Sequence, residues 1–250
     1  MARTTPGTRP AFPAIDRSGM FRRIATAAAL AGLVSGLLLT AIQRVSIEPM
    51  IRDAELREEA AAATKQSAAQ PADAHAHAAW EPANAAERLF ATAAANIVIA
   101  TGFALLVAAA MTLRGAEGWR AGAIYGLAGF AALFVAPSLG LPPELPGSAA
   151  AALDARQLWW AGTALATGAG LAIAAFCTSP LLRVLGVALL IAPHAIGAPH
   201  LAEPSSIHSA EAARRFVGST YAANAVLWLV IGAMVGAGLK PRRSALASHG

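Results

Sequence analysis

Apolar residues in this chain gather into runs separated by short polar segments, and the lengths of those runs predict membrane-spanning helices. The first run, Ile24 to Ile42, follows the pair Arg22 and Arg23 and carries no charge for about 19 residues. At 1.5 Å per residue it covers roughly 28 Å, close to the hydrocarbon thickness of a bilayer. It passes into Gln43-Arg44-Val45 without a small-residue cleavage site, so it reads as an uncleaved anchor and not as a signal peptide. Further runs lie near 89–113, 121–141, 158–178, 181–196 and 216–239. The expected fold is an all-α integral membrane protein, a bundle of six transmembrane helices with extracytoplasmic loops. It becomes five if the short fifth run, with Arg183 near one end and Pro193 near the other, is re-entrant. Residues 1–20 are expected as a flexible cytoplasmic tail, 21–239 as the membrane domain and 240–250 as a second cytoplasmic tail.

Glycine pairs at four-residue spacing fall inside three of the runs: Gly32 and Gly36, Gly122 and Gly126, Gly232 and Gly236. Missing side chains let helix backbones approach where lipid supplies no hydrophobic drive, so these pairs predict a tight bundle. After the third run come Pro137, Pro142, Pro143 and Pro146, through which no helix is expected to continue. Irregular backbone at membrane depth is tolerated where protein buries it or where it lines a cavity, which makes this segment a candidate mouth.

Composition agrees with a bilayer setting: 56% of residues are apolar and 13% charged, against about 25% charged in soluble domains. The net charge of +5 invites a nucleic-acid reading, but the charges avoid the runs and segregate by loop. With the N-terminus in the cytoplasm, 11 cations and two acids (Asp16, Glu117) fall inside, a net of +9. The other side holds the remaining 8 of 19 cations and 12 of 14 acids, a net of −4. This is the positive-inside pattern of a bacterial inner-membrane protein with both termini cytoplasmic. The single cysteine, Cys177, excludes an intramolecular disulfide and a Cys-based metal centre. No HExxH, P-loop or GxSxG motif is present, so no enzyme is expected and this chain alone drives no ATP-dependent pump.

The same topology places His75, His77, His194, His200 and His208 outside with most of the carboxylates, a set suited to first-row transition metals. His75 and His77 fill at most two coordination positions, and only an extended or irregular backbone brings both to one ion. Glu144, in the proline-rich segment, offers a hard oxygen ligand, with Arg156 placed to pair with it or with Asp154. Trp159 and Trp160 read as interfacial anchors of the fourth span. His194 stands at the outer rim of an otherwise apolar helix, where an unpartnered imidazole is costly, so it reads either as a metal ligand or as a structural hydrogen-bonding group. His200 extends the run. Inside the spans polar groups are few: Gln43, Asn96, Thr101, Thr163, Thr167 and Asn224.

From about Met20 to Leu239 the chain resembles the cobalt transporter subunit family CbtA. The resemblance is carried by His75-x-His77-x-x-Trp80-x-Pro82, Ala136-Pro137-x-Leu139-Gly140-Leu141-Pro142-Pro143-Glu144-Leu145-Pro146-Gly147, Arg156-Gln157-x-Trp159-Trp160 and Pro193-His194-x-x-Gly197-Ala198-Pro199. It implies a subunit of a Co²⁺ uptake system linked to cobalamin synthesis, working with a small single-span subunit, CbtB, that has a histidine-rich tail. Cobalt is then cargo, and no resident cofactor is expected. The metal ligands expected on this reading are His75, His77, Glu144, His194 and His200, with Pro142, Pro143, Arg156, Trp159 and Trp160 shaping the mouth. The expected partners are membrane lipid, the small subunit and further copies of this chain, not nucleic acid. The rival reading is a non-transporting scaffold or metal-binding accessory protein, because the intramembrane ligands are scarce.

Overall fold

The computed structural model describes residues 17–66, 82, 84–201 and 207–240, and every long element among them is helical. Helix α1 (Arg17–Ile42) runs through a π turn (Gln43–Ile47) into α2 (Glu48–Gln66). Then follow α3 (Ala85–Leu113), α4 (Trp119–Phe130), a second π turn (Ala131–Val135), α5 (Ala136–Gly140), α6 (Leu153–Phe176), α7 (Pro180–Ile196) and α8 (Ala210–Leu239). Five helical segments are long and apolar enough to cross a membrane, and α7 is a shorter apolar helix of 17 residues. Their outward faces carry Leu30, Phe90, Val98, Ile124, Leu165 and Val184 well exposed. Such apolar surface is favourable against lipid and not against water.

Helix α1 begins at Arg17, ahead of the apolar run, and continues past its end, so that Ser18–Ala63 forms one helix of 46 residues. Beyond the apolar run the helix is charged, and pairs at four-residue spacing support it: Arg44 and Arg52 with Glu48, and Arg57 with Asp53. The π turn inserts one residue into the buried stripe. Ala28, Ala31, Ser35 and Leu39 recur at helical spacing, and after Thr40 the next buried positions are Ile47 and Ala54. The extra residue turns the extension so that Met50, Ile51 and Ala54 still meet the core.

The expectation that no helix continues past Pro137 is corrected: the helix runs to Gly140. The π turn absorbs the proline, with the Ala136 N–H reaching back five residues to the Ala131 carbonyl. The helix ends at Gly140, just ahead of Pro142 and Pro143, and the Leu141 N–H caps the Pro137 carbonyl at 2.9 Å.

Four helices, α1, α3, α4 and α8, form the core. All three glycine pairs work in it. A methyl group added at Gly32 or Gly36 meets the α3 backbone at Thr101 or Ile97, and one at Gly122 or Gly232 meets the other's carbonyl. Helices α4 and α8 approach so closely that the Gly118 N–H donates to the Gly236 carbonyl at 2.9 Å. Trp228 of α8, 1% exposed, stacks on Phe103 of α3 at 4.6 Å between ring centroids.

Helices α6 and α7 form a hairpin whose own close contact is Gly170 against Gly186. It meets the core chiefly through the second π turn and α5. The Arg23 guanidinium donates to the Leu239 carbonyl, so the start of α1 and the end of α8 share one end of the bundle. An even number of passes along the bundle is needed for that, and α7 makes the return pass: it runs antiparallel to α6 from the level of Phe176 back to that of Trp159, where His194 lies.

Candidate functional site

The end of the bundle opposite Arg23 and Leu239 is built from α2, the proline-rich turn, the connection before α8 and the rims of α6 and α7. Leu145 is buried, and Gly147 lies against Ile207 and the Glu58 side chain, which seats the turn across the end of the helices. The Pro146 carbonyl only accepts, so the His208 ring meeting it donates from Nε2. His208 thus clamps the turn and is not an incidental surface group. Asn84, whose side chain accepts from the Glu87 N–H at 2.9 Å, caps α3.

Among the expected site residues, Arg156 at the start of α6 pairs with Glu144 at 3.3 Å, and Asp154 instead accepts from its neighbour's N–H. One turn deeper, the indole of Trp159 packs on Gly140 and Ala198 and stands edge-on to the His194 ring, with centroids 6.3 Å apart. Trp160 is exposed beside it. Pro142 and Pro143 begin the turn that carries Glu144. His194 and His200 are both exposed. The structure therefore gathers Glu144, Arg156, Trp159 and His194 at one rim, where α5, α6 and α7 meet. His75 and His77 lie outside the described residues. Among the described residues no three His, Cys, Asp or Glu side chains converge as a closed metal site.

A second polar place lies between α1 and α3. The Asn96 amide donates to Thr40 Oγ1 at 2.9 Å and to Gln43 Oε1 at 2.6 Å, while Thr40 donates to the Gly36 carbonyl at 2.8 Å. Above it opens a cleft of about 230 Å³ lined by Arg44, Glu48, Arg88 and Thr92 among others. Hydrogen bonding from Arg44 holds the Glu48 carboxyl below its ordinary value of 4.5, against the opposing pull of burial, with Arg52 adding to the effect. Two arginines, Arg44 and Arg52, on the Glu48 carboxylate, with Arg88 also lining the cleft, make this mouth a poor cation site, and the satisfied Asn96 network reads as helix glue.

Of the other intramembrane polar groups, Thr101 and Asn224 each bond the carbonyl four residues back. Thr163 and Thr167 do not. Their hydroxyls, together with Trp159 Nε1, are buried with no hydrogen-bond partner among the described residues. Sequence reasoning named both threonines as polar but not as a set. Their four-residue spacing with Trp159 was the available signal, since it places all three on one face of α6.

The model of the family described as "Probable cobalt transporter subunit (CbtA)" matches residues 21–240, most of the chain. No curated protein and no solved structure matches it.

Proposed function

The chain belongs to the CbtA family of probable cobalt transporter subunits, and from that premise we propose that it captures Co²⁺ at the outer rim of the α6–α7 hairpin and passes it inward. On this reading it is a multi-pass protein of the bacterial inner membrane, with both termini cytoplasmic and cobalamin synthesis as the destination of the metal. The charge split of +9 against −4 supports the orientation, and the meeting of Arg23 with Leu239 supports an even number of crossings.

The observation that carries the reading is the rim itself: an exposed imidazole at the end of an apolar helix, held edge-on by Trp159, beside a carboxylate latched to Arg156. Co²⁺ exchanges water for the neutral His194 nitrogen, and Glu144 joins when the ion displaces the guanidinium. His75 and His77, in the connection between α2 and α3, bring further imidazoles, and His200 lines the approach. Protons compete for each imidazole, so capture weakens on acidification. A small single-span, histidine-rich subunit supplies the ligands that this chain does not gather by itself, in keeping with the open site at the rim.

Cobalt uptake into proteoliposomes holding this chain, the small subunit or both tests the proposal. The expected result is uptake only with both. A second reading, a scaffold whose partner makes the whole pathway, is favoured by the absence of carboxylate or imidazole deep in the described spans. It predicts that the small subunit alone transports at the full rate once it is stably inserted.

A further inference from the structure

Hydroxyls on membrane helices ordinarily satisfy themselves by donating to the carbonyl one turn back. Ser35, Thr40, Thr92, Thr101, Thr112 and Thr220 all do so. Thr163 and Thr167, 1% and 5% exposed, depart from this rule, and with Trp159 Nε1 they form an unpartnered polar line at positions i, i+4 and i+8 of α6. The line spans about 12 Å of depth.

What faces the line is unusual in the same way. Trp159 packs on Gly140, and α6 packs most on α7 and otherwise on the second π turn and α5, so the two buried threonines lie in the seam that these elements close around α6. Pro137 has no N–H, so a carbonyl in the preceding turn loses its helical donor. Ala132 and Ala136 are buried and small, leaving little side chain to fill the contact. Buried polar groups without partners are uncommon, and in a membrane each costs more than in water, so a line of them calls for water or an ion.

We propose that the line Trp159, Thr163 and Thr167, in the seam between α7 and the second π turn, is the first intramembrane segment of the cation's route. This rests on the capture reading above, since Trp159 joins the line to His194 and to the Arg156–Glu144 pair. Hydroxyl and carbonyl oxygens replace part of the water shell of a divalent cation, while Trp159 Nε1 donates to a water that remains. With no charged ligand along the segment, the ion is held weakly enough to leave, as conduction requires. The segment opens when the α6–α7 hairpin moves against the core.

Two measurements test this. Thr163→Val with Thr167→Val keeps the side-chain shape and removes both hydroxyls. Initial Co²⁺ uptake by the assembled system should fall roughly tenfold, equivalent to about 1.36 kcal/mol on a barrier, with thermal stability unchanged or raised. Uptake at the wild-type rate, or a lowered melting temperature that accounts for the loss, overturns the proposal. In a Cys177→Ala background, Thr163→Cys and Thr167→Cys should react with a water-soluble methanethiosulfonate in proteoliposomes at least roughly tenfold faster than Leu165→Cys on the lipid face, because the thiolate forms only in water. Equal, slow reaction at all three overturns it. If the wild-type assembly moves no cobalt, the transport reading fails, while the labelling contrast still decides whether the line is a hydrated path.

Discussion

The four-helix core and the α6–α7 hairpin use the same small alphabet of Ala, Gly, Leu and Thr, yet they treat polar groups in opposite ways. In the core, Thr40 donates to Gly36 and accepts from Asn96, and Asn96 spends its second proton on Gln43. On the buried face of α6, two hydroxyls and an indole N–H have no partner among the described residues. The core is locked by glycines set against backbone, whereas the hairpin packs mainly on itself and meets the rest of the chain chiefly at the second π turn and α5. Trp159 on Gly140 and Arg156 to Glu144 join it at one end, and Arg114 over the Phe176 ring at 4.1 Å joins it at the other.

Breaking the frame should have the largest effect. Gly232→Leu drives a side chain into the Gly122 carbonyl, where only backbone can yield. Overpacking of this kind costs about 1–3 kcal/mol even in adaptable cores, and here the expected outcome is loss of the monodisperse folded protein in detergent chromatography. Gly162→Ala, on α6, meets nothing within 4 Å and should leave the elution profile unchanged. A folded, stable Gly232→Leu protein would show that the α4–α8 contact is not the lock.

The next effect sharpens the contrast by making one chemical change in both regions. Thr40→Val strips a partner from the buried Asn96 amide and should destabilise by about 1–3 kcal/mol, read as a lower melting temperature. Thr163→Val removes a hydroxyl that has no hydrogen-bond partner among the described residues, so its melting temperature should hold or rise. Equal losses at the two sites would mean that Thr163 has a structural partner.

The smallest effect concerns pH. Glu48 titrates below its ordinary 4.5 because Arg44, and after it Arg52, stabilise the carboxylate. A depressed folded-state value contributes stability that is present above about 4.5 and is lost as pH falls through the lower, folded-state value. Glu48→Gln should therefore lower the melting temperature slightly at neutral pH and flatten its decline below pH 4.5. An unchanged acid profile in Glu48→Gln would assign that decline to other carboxylates.

Much of the frame is legible in the sequence. Apolar run length marks the spans, and the three glycine pairs mark the faces that touch, although only the fold reveals that two of the pairs face each other. The π turns are not legible, because each inserts a single residue whose effect is visible only against the helix it packs on. That is why α1 continues into its charged extension, and why Pro137 sits inside a helix. At the rim, Glu144, Arg156, Trp159 and His194 were readable by type, and Arg156 was correctly matched to Glu144 as one of two options. His208 as a clamp was not readable, since its partner is a carbonyl 62 residues away. The vacancy of Thr163 and Thr167 was equally hidden, because spacing shows a shared face and not what faces it.

The central claim is that the hairpin rim receives the metal, and His194→Ala tests it most directly. The measurement is the initial rate of radioactive cobalt uptake into proteoliposomes holding the chain and its small subunit, with reconstituted amount and melting temperature matched. Loss of even an outer-shell partner of a bound metal weakens it by about 10–100-fold, so His194→Ala should slow uptake at limiting Co²⁺ by roughly tenfold or more, and His208→Ala by less once its lower stability is allowed for. A His194→Ala protein that is folded and transports at the wild-type rate would contradict the account.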